Sequence, residues 1–190
     1  MKSGFFAFLL SVFNVSCSFA AESNTIHTAV IPIAAFTASG DIERLKPALH
    51  AGLDAGLSVN EIKEILVQLY AYCGFPRSLN AINTFMGVMQ EREAKGIEDP
   101  VGKEATPLSE DMDKDAYGAA IRRELAGWSE EPPAAGYQLF TPAIDTYLKE
   151  HLFADIFARD VLSHRERELV TIAALAAMSG TEGQDRKSVV

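Results

Sequence analysis

Apolar residues recur at spacings of three and four along most of this chain, with helix-capping side chains standing just ahead of several runs. Behind Asp41, the residues Ile42, Leu45, Leu49 and Leu53 form one such stripe, which Gly56 stops. Ser58 and Glu61 spell an S-x-x-E capping box, in which two backbone N–H groups orphaned by the first helical turn are taken up reciprocally. Ile62, Ile65, Leu66 and Leu69 follow as a core stripe closing at Tyr72, Cys73 and Gly74, and Pro76 or Ser78 opens a further helix to about Glu93. Ser163 and Glu166 repeat the capping box ahead of the apolar, Ala-rich run Leu169 to Met178. No stretch alternates with period two, so the expected fold class is all-α.

The remaining segments fit that reading. Ile26 to Ala38 is a buried, Ala-rich helix broken by Pro32 and ended by Ser39-Gly40. Gly96 to Pro107 has no periodicity and reads as a linker, and Ser129 to Gly136 is rich in turn residues. Between them Asp113 to Trp128 is another helix. Thr141-Pro142 begins one whose Ile144, Leu148 and Leu152 face inward, continuing through Phe157.

Two stretches resemble each other. VIPIAAFTASGDIERL begins at Val30 and VTIAALAAMSGTEGQ at Val170, matching Ile33-Ala34-Ala35 to Ile172-Ala173-Ala174 and Gly40 to Gly180. In the first copy a helical hairpin follows; in the second the chain stops. The last six residues, DRKSVV from Asp185 to Val190, read as the translation of a sequencing-adapter string. The natural chain is therefore expected to continue beyond Gln184 with the rest of the second repeat. An apolar helix face left without that cover is expected to lower stability or promote association.

At the other end, Lys2 and the apolar run Phe5 to Val15 lead to small residues at Ser18 and Ala20, the pattern of an export signal cleaved after Ala20. The run is short for a bilayer span. A lipid-anchored start at Cys17 is disfavoured by Asn14, where that signal wants an aliphatic residue. The expected location is periplasmic or secreted, without a stable membrane span after cleavage. Export removes Cys17 and leaves Cys73 as the single thiol, so neither an internal disulfide nor a Cys-rich metal site is expected. The net charge of −9 disfavours nucleic acid and requires any anionic substrate to be met by a local group of Arg or Lys.

The run HAGLDAGLSVNEIKEILVQLYAYCGFPRSLNAINTF, His50 to Phe85, resembles the helical hairpin of the carboxymuconolactone decarboxylase-like family, and IFARDVLSHRERELVTIAALAAMSGTEGQ, Ile156 to Gln184, is similar to the start of the same unit. Gly74-Phe75-Pro76 with Asn80-Ala81, and Arg165 to Glu168, are the more specific parts of the match. The resemblance implies an AhpD-like helical bundle. Taken with the export signal and the adapter-derived tail, it divides the chain into a signal peptide at 1–20, a first repeat at 21–95, a linker and connecting helix at 96–136, the start of a second repeat at 137–184 and the adapter-derived 185–190. It also implies a homo-oligomer of three or six subunits and a small organic acid as partner.

Two chemistries occur in the family. One is decarboxylation of a carboxylated lactone, which uses no metal or cofactor. The other is thiol-dependent peroxide reduction by Cys-x-x-Cys with a following histidine. The peroxidase positions fall near Asp41 and near Gly180 or Thr181, where this chain has no cysteine, and the first-repeat histidine position falls on Ala48. His27 stands where the first repeat would carry its upstream acid. The expectation is therefore a cofactor-free lyase, with an alkylhydroperoxidase-like antioxidant and a non-catalytic oligomeric binding module as the alternatives.

Loss of CO2 leaves an electron pair on carbon, so a lyase of this kind needs a general acid and a cation for the retained carboxylate. Glu168 matches the family's upstream glutamate and is the candidate acid; its other reading is a solvated first-turn acid complementing the helix dipole. Glu166 lies beside it but is more simply the capping-box residue. Arg159 is the candidate carboxylate ligand, or else an ion-pair partner of Asp160 or Glu168. Arg165 and Arg77 are weaker substrate-binding candidates. Cys73, at an apolar helix end, is a catalytic candidate only for thiol chemistry and otherwise an inert small hydrophobe. His50, His151 and His164 have no metal-ligand spacing.

Overall fold

A computed structural model describes residues 28–181. The export signal, Cys17, His27, Gln184 and the 185–190 tail lie outside the described residues. Helices account for the regular structure, and no strand occurs among the described residues.

Helix α1 (28–39) runs through Pro32 without the expected break and ends at Gly40, whose φ of 76° lets the chain turn sharply. Asp41 then caps α2 (Ile42–Asp54), its carboxylate accepting from Arg44 N at 3.0 Å. Ser58 and Glu61 form the expected capping box of α3 (Val59–Ala94), with Ser58 N donating to Glu61 Oε2 at 2.7 Å. Gly74, at φ 80° and ψ 159°, divides α3 into two arms at the expected helix end, and Pro76 follows it.

The segment after α3 is more than a tether. Its Pro100 and Val101 carbonyls accept from Val59 N and Asn60 N at 2.9 Å, satisfying first-turn donors of α3. Helix α4 (Lys114–Leu125) is capped by Asp113 and stops short of Trp128, because Gly127 takes φ 66° and bonds back to Glu124 O. Two short helices, α5 (Tyr137–Phe140) and α6 (Pro142–Thr146), lead into a π-helical segment, Tyr147–Ile156. The expected inward stripe is corrected in part: Leu152 is buried and Leu148 packs against the smaller core, but Ile144, on α6 ahead of the π segment, is 44% exposed. The second capping box, Ser163 with Glu166, starts α7 (His164–Ala177) as expected.

Two apolar cores result. The larger joins α1, α2, both arms of α3 and α7 around Ile33, Leu45, Leu49, Ile62, Leu66 and Val170. The smaller joins α4 to the π segment through Ile121, Leu152, Ile156 and Phe157, with Tyr70 and Tyr72 of α3 packed against it. Val30, Ile33 and Ala34 of α1 and Val170, Ala173 and Ala174 of α7, from the two similar stretches, share the larger core. Gly40 and Gly180 after them both have positive φ.

Candidate functional site

The first arm of α3 is otherwise apolar where it meets α7, yet Glu64 and Gln68 are buried there one turn apart. Both face polar groups of α7 or of the turn before it. Arg167 is fully buried, and its NH2 group donates to Glu64 Oε2 at 3.1 Å while NH1 donates to Gln68 Oε1 at 3.1 Å. Gln68 Nε2 donates in turn to Thr171 Oγ1 and to Arg167 O, so its amide is satisfied at both ends. Thr171 Oγ1 lies 3.1 Å from the Tyr72 hydroxyl, and burial pushes the Tyr72 pKa up to about 12. The Arg167 guanidinium also stands 5.9 Å from the Phe157 ring centroid, and its Nε has no hydrogen-bond partner among the described residues.

Arg159 completes this network from the turn after the π segment. Its Nε and NH2 clasp Glu64 at 3.0 and 2.7 Å, so the ion pair is with Glu64 rather than with Asp160 or Glu168. Burial on its own pushes the Glu64 pKa up, but hydrogen bonds from Arg159 and Arg167 outweigh it and hold the carboxyl below its ordinary value. Two cations thus share one acid. Only one edge of the Arg159 guanidinium is used: NH1 has no partner among the described residues, and the side chain is 41% exposed. It lines a cleft of about 190 Å³ together with Lys63, Lys103, Glu64 and Glu104. Asn60 sets the rim, donating to Glu104 Oε1 and to the Lys103 carbonyl at 3.1 Å while its own oxygen accepts from Lys63 Nζ.

Asp160, beside Arg159, fastens the 96–107 segment over this cleft. Its carboxylate accepts from Thr106 N at 2.8 Å and Thr106 Oγ1 at 3.0 Å, and these bonds pull its pKa down to about 2. Its carboxylate therefore stays ionised well below the ordinary aspartate range, and what these bonds contribute is lost only as pH falls toward about 2.

The other expected site residues are dispersed. Glu168 is half-buried, has no hydrogen bond or ion pair among the described residues, and has its pKa pushed up by burial. It does not line the Arg159 cleft. Glu166 is engaged in the capping box through both its backbone and its side chain. Arg165 is exposed, without an ion pair among the described residues. Arg77 is also exposed and lies against Gly40 and the Met178 sulfur, away from the Arg159 cleft. His50, His151 and His164 each approach a carboxylate, of Glu91, Asp155 and Glu124 respectively. No group of three or more potential ligands suited to a metal occurs among the described residues.

Cys73 is half-buried at the Gly74 kink, and its thiol donates to Leu69 O at 3.1 Å. Burial pushes its pKa up, only partly offset by Arg77. Thiolate is therefore scarce at neutral pH. A thiol-dependent peroxide-consumption assay is expected to give the same rate for the wild type and Cys73→Ser; loss of turnover in the variant would restore the peroxidase reading.

Sequence reasoning missed Glu64, Gln68, Tyr72, Arg167 and Thr171. The available signal was polar groups at four-residue spacing, Glu64-Gln68-Tyr72 and Arg167-Thr171, set within apolar helices. Among the described residues, no helix is long and apolar enough to cross a membrane. No protein-family model matches the chain, and no curated protein matches it.

Proposed function

We propose that this chain is a carboxymuconolactone decarboxylase-like protein acting, without a cofactor, as a lyase on a small carboxylated lactone or related organic acid. The free edge of Arg159 carries the reading. Glu64 occupies the other edge and fixes the guanidinium plane, and Lys63 and Lys103 add positive charge along the same cleft. A forked cation locked on one side is preorganised to take one carboxylate bidentately on the other. It also supplies the local positive group that an acidic chain needs to hold an anion.

In this proposal Arg159 holds the carboxylate that the product retains. The bond from carbon to the departing CO2 breaks, its electron pair stays on that carbon, and a proton from the Lys63 ammonium quenches it; water then restores the Lys63 proton. Glu168 is the competing donor, favoured by its raised pKa but lying outside the cleft. Periplasmic or secreted location and a trimeric or hexameric assembly belong to the same proposal. The non-catalytic binding module is favoured by a different feature, the exposed Phe75, Leu79 and Met86 of α3.

Calorimetric titration with a carboxylated five-membered lactone tests the binding half. The wild type is expected to bind it, and Arg159→Met to bind at least about tenfold more weakly, the scale of a lost charge-assisted hydrogen bond. Equal affinity in the two proteins, with unchanged circular dichroism, would remove Arg159 from the site.

A further inference from the structure

Arg167 is fully buried and lines no part of the cleft, yet it is bonded to both groups that decide where Arg159 points. Its NH2 nitrogen has two hydrogens, and both are used. One goes to Glu64 Oε2 at 3.1 Å, the other to the main-chain carbonyl of Arg159 at 2.6 Å. A single buried nitrogen therefore holds the backbone that carries the Arg159 side chain and the carboxylate on which that side chain lies. NH1, donating to Gln68 Oε1 at 3.1 Å, fixes the guanidinium from the α3 side. The same turn is held from its outer side, where Asp160 accepts the two bonds from Thr106.

Stability alone does not account for a guanidinium at this place. Apolar residues of similar volume often serve a core as well as a buried ion pair does, or better. Arg167 also carries a cost that such a residue would not, since its Nε has no hydrogen-bond partner among the described residues. An apolar residue, however, could not tie Glu64 to the Arg159 carbonyl. The buried charge has a second consequence. Glu64 divides one negative charge between two guanidinium groups, and of these only Arg159 reaches the cleft. With Arg167 gone, Glu64 would be left to neutralise Arg159 alone. We infer that Arg167 is a positioning residue: it never touches the anion, but it holds Arg159 with one edge open to the cleft and keeps Glu64 from cancelling that edge's charge. The inference rests on the proposed reading of Arg159 as the anion ligand.

The orientation is tested without any ligand. In NMR of protein carrying isotope-labelled arginine, solvent exchange of the Arg159 Nε proton is expected to be slow in the wild type. In Arg167→Met it is expected to be at least about tenfold faster, with circular dichroism unchanged. Arg167→Lys keeps the buried charge but ends one bond short of NH2, and is expected to fall between the two; it carries the test if the Met variant does not fold. Equal exchange in the wild type and the variant would overturn the inference. Calorimetric titration with the carboxylated five-membered lactone is expected to show binding at least about threefold weaker in Arg167→Met. Adding Arg167→Met to Arg159→Met is expected to cause no further loss. A loss that persists undiminished in that background would mean a general disturbance and would also overturn the inference. Protection of the Arg159 proton that depends on Arg167, in a wild type that binds no lactone, would uphold the positioning and sink the proposed ligand.

Discussion

Glu64→Ala is expected to cost about 3–5 kcal/mol of folding stability, the scale for removing one partner of a buried ion pair. The loss follows from what is left behind: a fully buried Arg167 and a partly buried Arg159, both deprived of their acid and crowded by each other's charge. Glu64→Gln keeps a carbonyl oxygen for one of them and is expected to fall between the wild type and the alanine variant. Urea unfolding measures both; a loss below about 1 kcal/mol for Glu64→Ala would mean the network contributes little. The pH dependence has a definite sign. Because the folded-state pKa of Glu64 lies below its ordinary 4.5, its contribution is complete above that value and is lost as pH falls through the lower folded-state pKa. Stability of the wild type is therefore expected to fall more steeply on acidification than that of Glu64→Gln.

Gly118→Ala is the second change with a large expected effect. Gly118 sits where α4 crosses the π segment, and a Cβ there would fall on the main-chain carbonyl of Lys149. Alanine favours a helix interior by about 1 kcal/mol over glycine, which on its own would stabilise α4. Here neither party to the clash is a side-chain tip that could swing aside, so the two backbones must separate and Ile121 must shift from Leu152 and Ile156. The expected net loss is about 3 kcal/mol, the upper end of overpacking costs. Thermal unfolding checks it; an unchanged or raised midpoint would show that this crossing yields without cost.

What the sequence made legible was local. The capping boxes at Ser58 and Ser163, the stop at Gly40 and the break at Gly74 each depend on residues within a few positions of one another. The π segment was hidden because Leu148 and Leu152, four apart, suit a wide helix as readily as an ordinary one, and the spacing to Ile144 gave no sign that it stands on a separate short helix. The site was legible in part. Arg159 was singled out, but its acid stands 95 positions away on α3. In Arg165-Glu166-Arg167-Glu168, charges alternate through a helix start, and neighbouring residues differ by about 100° around the axis. Only packing decides which arginine enters the core, and α7 turns Arg167 inward while Arg165 stays exposed. Glu64 was passed over for a related reason. It interrupts the stripe of Ile62, Ile65 and Leu66, and only the two arginines opposite make that interruption favourable.

The proposed chemistry is tested most directly by CO2 release from a carboxylated lactone by chelator-treated protein, compared among the wild type, Arg159→Met, Lys63→Met and Glu168→Gln. The account predicts turnover by the wild type without added metal or cofactor, a loss of at least about a hundredfold in kcat/KM for Arg159→Met and for Lys63→Met, and little change for Glu168→Gln. Failure of the wild type to release CO2, or turnover that survives both substitutions in the cleft, would contradict it.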